Sequence, residues 1–147
     1  MAATAPVPRI AGYSFDVAAN LADVATRKRL SPAAVRAFFR IVKAWGIREQ
    51  EARELLGGIS AASFYALKKE TDRRLLDQDR LTRISYLVGI FKALNILYSR
   101  KLADEWVRLP NKNALFGGGT PVEYMVRQGI PGMSQVRRLL DSYRGGM

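Results

Sequence analysis

The sequence predicts an all-α chain, a helix-turn-helix bundle followed by a small helical domain. Three observations carry that expectation. From Ser31 onward, apolar residues recur at three- and four-residue spacing, as in helices with one buried face. No run of alternating β-branched residues marks a strand. Capping residues and glycines divide the pattern into short segments. No internal repeat or low-complexity run interrupts it.

The elements follow in order. Residues 1–15 read as an arm. Residues 15–30 are expected to hold a short helix that ends in the basic cluster Arg27-Lys28-Arg29. Ser31 is expected to cap the next helix, with Pro32 in its first position. Val35, Phe38, Phe39, Val42 and Trp45 follow at helical spacing, and Gly46 closes the helix. Residues 48–58 predict a short helix with Ala52, Leu55 and Leu56 inward. Residues 59–70 predict another, capped by Ser60, with Phe64 and Leu67 inward one turn apart. Residues 72–80 read as a charged connection.

Residues 81–99 form a long helix that is apolar nearly all round. Such a helix sits centrally in a bundle or against a second copy of the chain. Gly89 in its middle costs up to ~1 kcal/mol relative to alanine, which close packing would justify. Residues 100–109 are amphipathic, with Leu102, Trp106 and Leu109 on one face, and Pro110-Asn111 stops them. Thr120-Pro121-Val122-Glu123 is a complete capping box. Gly129 ends that helix, and residues 133–143 form the last.

Composition narrows the function. The chain has 147 residues and neither cysteine nor histidine. Zinc sites, disulfides and the Ser-His-Asp and Cys-His machineries are therefore not expected. No cofactor and no metal is expected. The 84–98 segment contains Lys92 and is too short for a membrane span, so the protein is expected to be cytoplasmic. The net charge is +11 and the pI about 10.4, a balance that suits a polyanion, nucleic acid first. The middle is the least basic part. Residues 48–98 carry nine basic and seven acidic groups, against seven and two before them and eight and four after.

The middle also holds the best motif. A helix-turn-helix needs a small residue in its first helix, glycine at the turn, and apolar anchors in the second helix. Ala52, Gly57-Gly58, Ile59, Phe64 and Leu67 supply these, with a turn slightly longer than the most regular pattern. The outer face is then Ala61, Ala62, Ser63, Tyr65 and Lys68. Ser63 and Tyr65 are placed to reach bases or phosphates, Lys68 and Lys69 to neutralise phosphates, and the helix start at Ser60 favours an anion. The bland alternative is a helical hairpin with a glycine turn. The basic cluster at 27–29 reads equally as a minor-groove arm or a solvated linker.

Gly117-Gly118-Gly119 precedes the capping box. No lysine follows these glycines and no strand precedes them, so they are not a nucleotide-binding loop. A flexible connection explains one or two glycines. Three in a row cost backbone entropy, and backbone exposed to a partner accounts for them better.

Three blocks carry a resemblance: "AWGIREQEARELLGGISAASFYALKK", "DRLTRISYLVGIFKALNILY", and Trp106, Pro110-Asn111, then "LFGGGTPVEYM". Over about residues 31–147 the chain resembles the Xre/MbcA/ParS antitoxins. The resemblance implies a Xre-like helix-turn-helix domain at 31–98 and a toxin-binding domain at 99–147; residues 1–30, outside it, read as an N-terminal arm. It implies two partners, operator double-stranded DNA and a cognate toxin, most often a RES-domain enzyme that degrades NAD⁺. The antitoxin would occlude the toxin's active site and repress the shared operon. Separately, the long apolar helix and the two-fold symmetry of operators point to a homodimer.

Candidate toxin-binding residues are then Gly117, Gly118, Gly119, Thr120, Arg127, Tyr143, Arg144, Gly145, Gly146 and Met147. Arg144 and the glycines after it are placed to enter an NAD⁺ pocket, where a cation meets negatively charged groups. Trp45 and Trp106 are expected in the core. A solo transcription factor without a toxin is the rival reading. An enzyme built on Asp77-Asp79 or Asp104-Glu105 is a distant one, since these pairs read as cap and solvent charges.

Overall fold

The computed structural model describes residues 20–145, and among these every regular element is helical. Seven α-helices follow: α1 (Val24–Trp45), α2 (Glu49–Leu55), α3 (Ala61–Lys69), α4 (Gln78–Leu97), α5 (Arg100–Glu105), α6 (Pro121–Gln128) and α7 (Ile130–Arg144). Two short 3-10 turns, Trp106–Arg108 and Ala114–Phe116, lie between α5 and α6. The residues before 20, expected to form an arm, and the candidate residues Gly146 and Met147 lie outside the described range.

α4 is the centre of the molecule, and α1 and α7 both pack along it. Leu81, Ile84, Leu87, Val88, Ile90, Phe91 and Leu94 are buried, so apolar residues are needed nearly all round. The chain's own helices bury α4, which accounts for its composition within one copy. The core is continuous: Phe38 and Trp45 of α1, Leu55 of α2, Met125 of α6 and Leu140 of α7 belong to the same cluster. Trp106 is buried in it as well.

The start of α1 corrects one expectation. Ser31 does not cap a helix; α1 begins a full two turns earlier and runs through Ser31-Pro32. Asp23 is the cap, accepting the Thr26 amide at 3.1 Å and the Thr26 hydroxyl at 2.8 Å. The Thr26 bonds hold the Asp23 carboxyl below its ordinary range. Ser31 is buried instead, donating to the Arg27 carbonyl at 2.6 Å and accepting the Leu76 amide at 2.9 Å. An interior proline costs about 3 kcal/mol, and burial of Ala33, Ala34 and Val35 directly after it offsets that cost. The basic cluster 27–29 therefore lies within α1, where Arg27 donates to the Leu21 and Ala22 carbonyls, each at 3.0 Å.

The face of the 100–109 segment is the second correction. Leu102 and Leu109 are exposed, and Ala103, Trp106 and Val107 are buried. The change from α to 3-10 winding at Trp106 turns Leu109 off the α-helical register; Leu102 lies before that change, and its exposure is not explained by it. The last helix also starts three residues earlier than expected, at Ile130 directly after Gly129. The nearest neighbour of Gly89 is a flexible side chain, not a packed helix backbone. A Cβ there would lie 1.6 Å from the Arg137 Nη1, which crosses α4 at that point.

Candidate functional site

Two surfaces hold the candidate residues. On the first, α2 and α3 are joined by residues 56–60. Gly57 (φ 91°) and Gly58 (φ 81°) are both in the left-handed region, which explains the glycine pair. The Arg53 Nε donates to the Ile59 carbonyl at 2.9 Å and ties the turn across. Phe64 enters the core, its ring edge-on to Phe39 at 5.2 Å. That anchor fixes which face of α3 looks outward.

Ala62, Ser63, Tyr65, Lys68 and Lys69 are exposed and Ala61 is half-buried, so α3 presents the expected face. Ser60 is the N-cap, accepting the Ser63 amide at 3.1 Å and donating to the Ser63 hydroxyl at 3.1 Å. Its oxygen is committed to the helix start. A groove of about 520 Å³ lies between Ala62, Ser63 and Ala66 of α3 and the segment Arg74 to Asp77.

The second surface is built round Phe116. Its buried ring meets Trp106 at 6.0 Å and Tyr124 at 5.6 Å, both edge-on. The chain must turn sharply on either side of that anchor. Asn111 accepts the Asn113 amide at 2.9 Å, and Asn113 accepts the Leu115 amide at 2.9 Å. Gly117 (φ 56°) and Gly118 (φ 87°) reverse the chain, and both are exposed. The Gly119 amide donates to the Phe116 carbonyl at 2.9 Å, and its carbonyl accepts the Asn111 amide at 3.0 Å. The glycine loop is thus a closed turn with an exposed tip.

Thr120 caps α6, accepting the Glu123 amide at 3.2 Å while its hydroxyl donates to Glu123 at 2.7 Å. Those bonds hold the Glu123 carboxyl below its ordinary range. Tyr143 is exposed near the end of α7, and its hydroxyl accepts from the Asn113 side-chain Nδ2 at 3.4 Å. It also faces Tyr98, whose phenol is pushed up by burial and by the Tyr143 neighbour. Arg144 ends α7 and is 3.6 Å from Asp141, and Gly145 follows it exposed.

The structure therefore brings the loop and Tyr143 together, with Arg144 next along the chain. It does not bring Arg127 to them. Arg127 stands about 10 Å along α6 from Thr120, in a groove with Glu54, Gly57, Gly58 and Gly129. Arg83, only 16% exposed, spans that junction: it pairs with Asp79 at 2.8 Å and donates to the Leu55 carbonyl at 3.5 Å. Asn113 and Tyr98 were not among the sequence candidates. The signal for Asn113 was the Asn-x-Asn spacing, which makes consecutive side-chain-to-backbone turns.

Comparison with known proteins matches two stretches of the chain to domain families. Residues 25–89 match the antitoxin Xre-like helix-turn-helix domain. Residues 93–146 match the antitoxin Xre/MbcA/ParS C-terminal toxin-binding domain. The chain belongs to the Xre/MbcA/ParS antitoxin family.

A relative from Sinorhizobium fredii (strain NBRC 101917 / NGR234), uncharacterized protein y4oB, is 34% identical over 116 residues, 78% of this chain and 87% of the relative. No solved structure matches. The antitoxin's two family segments meet inside α4, which serves both. No described helix is long and apolar enough to cross a membrane. Among the described residues, no group of three or more His, Cys, Asp or Glu is placed to hold a metal ion.

Proposed function

We propose that this antitoxin binds and neutralises a RES-domain toxin that degrades NAD⁺, by occluding its active site, and represses its own operon as a homodimer in the cytoplasm. In this reading residues 31–98 hold the operator and residues 99–147 hold the toxin. The observation that carries the toxin part is the Asn113–Tyr143 hydrogen bond, which puts the glycine loop and the base of residues 144–147 on one surface. A toxin seated on that surface has Arg144 within reach. The Arg144–Asp141 pair is exposed and long, so releasing Arg144 costs little. A guanidinium suits a pocket that otherwise takes a pyrophosphate. The homodimer rests on the two-fold symmetry of operators.

The test is co-expression. The neighbouring gene is induced in a bacterial host with and without this antitoxin, and growth and cellular NAD⁺ are followed. Arrest with NAD⁺ loss, reversed by the antitoxin, is expected. Rescue without NAD⁺ loss would overturn the RES assignment and keep the antitoxin. Deletion of residues 144–147 is expected to weaken neutralisation, and unchanged inhibition would remove the occlusion step.

A further inference from the structure

The segment from α3 into α4 is dense in charge, yet its charges are not evenly cancelled. Every acid there is taken by one arginine. Glu70 pairs with Arg74 at 2.8 Å and Asp72 with Arg36 at 2.7 Å. Asp77 pairs with Arg80 at 2.6 Å and Asp79 with Arg83 at 2.8 Å. Three cations remain without an ion pair or hydrogen bond from their side chains among the described residues: Lys68, Lys69 and Arg73, all exposed. They are close together along the chain. Lys68 and Lys69 occupy the last turn of α3, and Arg73 follows in a turn closed by its own amide to the Glu70 carbonyl at 2.9 Å.

Helix length gives this cluster a place on a duplex. Nine residues of α3 span about 13 Å. The major groove is about 12 Å wide. That width admits a helix about 10–12 Å thick, so a helix whose N-terminal end enters the groove carries its C-terminal end out beside the flanking phosphates. We propose that Lys68, Lys69 and Arg73 form one phosphate clamp on the backbone beside the C-terminal end of α3, with Arg73 as its outermost member. The proposal rests on DNA binding by α3 and adds a residue from the connecting segment to it. The clamp positions the helix and carries no base preference of its own.

Salt dependence tests it. Binding of the full chain to a random-sequence duplex is measured by fluorescence anisotropy over a series of salt concentrations. Arg73→Gln is expected to reduce the slope of log K against log salt by about 0.9, roughly a 3.5-fold change in Kd over a fourfold change in salt. Arg73→Lys is expected to keep the slope. Lys101→Gln, an equal charge loss on α5, is expected to leave it unchanged. A wild-type slope for Arg73→Gln overturns the clamp, as does an equal reduction in Lys101→Gln, which would make the effect one of net charge. Loss of toxin affinity in Arg73→Gln with an unchanged slope assigns the cluster to the protein partner instead. No duplex binding by the wild type would overturn DNA binding itself, a result distinct from the others. Arg73 is exposed and its side chain makes no hydrogen bond or ion pair among the described residues, so its variants are expected to melt with the wild type.

Discussion

The Ser31 hydroxyl accepts the Leu76 amide at 2.9 Å, across 45 residues, and so pins the segment before α4 to the middle of α1. Both groups are buried. Ser31→Ala leaves a buried N–H without a partner, a cost of about 1–3 kcal/mol. Each kcal/mol lowers Tm by about 2–4 °C in a chain of this size. Thermal melting by circular dichroism checks it. A rise in Tm, as alanine's better helix propensity alone would give, contradicts the bond's role.

The three loop glycines are not equivalent. Alanine at Gly117 or Gly118 meets a left-handed backbone, which costs roughly 1–2 kcal/mol. At Gly119 the added Cβ would lie 3.4 Å from the Phe116 carbonyl oxygen, with no positive φ. Gly119→Ala is therefore expected to melt closer to wild type than the other two. Equal Tm losses at all three positions would contradict the turn geometry.

Gly89 and Gly132 are expected to respond in opposite ways. A Cβ on Gly89 displaces only the end of the Arg137 side chain, which swings away. Gly89→Ala then gains helix propensity, up to ~1 kcal/mol. A Cβ on Gly132 would lie 2.6 Å from the Gln128 Cβ and 3.3 Å from the Tyr124 carbonyl oxygen, where the α6 backbone must move. Gly132→Ala is expected to destabilise by about 1–3 kcal/mol. Urea unfolding of the two variants decides it.

Asp104 provides a pH-dependent prediction. One of its oxygens is buried without a hydrogen-bond partner, and burial raises its carboxyl above the ordinary range, with Arg100 opposing. The ionised form therefore costs stability above the raised value. That cost fades as pH falls and is gone below the unfolded carboxyl's ordinary value of 3.8. Asp104→Ala is expected to raise Tm at pH 7 by more than near pH 4. A pH-independent difference would contradict it.

Much of this was legible in the residues. Gly46, Ser60, Gly57-Gly58, Thr120 and Gly129 end or start helices where local chemistry says they must, because caps and positive φ are local demands. Phe64, Leu67, Trp45 and Trp106 are buried as their spacing predicts. Ser31-Pro32 misled because it has the form of a helix start. Only the distant Leu76 amide explains why that serine is interior. Leu109 misled because a 3-10 turn leaves no composition signal. Of the candidate toxin-binding residues, Arg127 went to a different face, since one α6 length separates it from the loop. The Asn113–Tyr143 contact is tertiary and joins residues 30 apart, beyond any local pattern.

The single core has a consequence for how this antitoxin is lost. α4 is the floor on which both α1 and α7 rest, so neither half has a hydrophobic interior of its own. A protease that unseats α7 strips one side of that floor and loosens the DNA-facing helices with it. The chain then unfolds as one cooperative unit. A trimmed fragment would therefore keep neither the helix-turn-helix domain nor the toxin-binding domain folded.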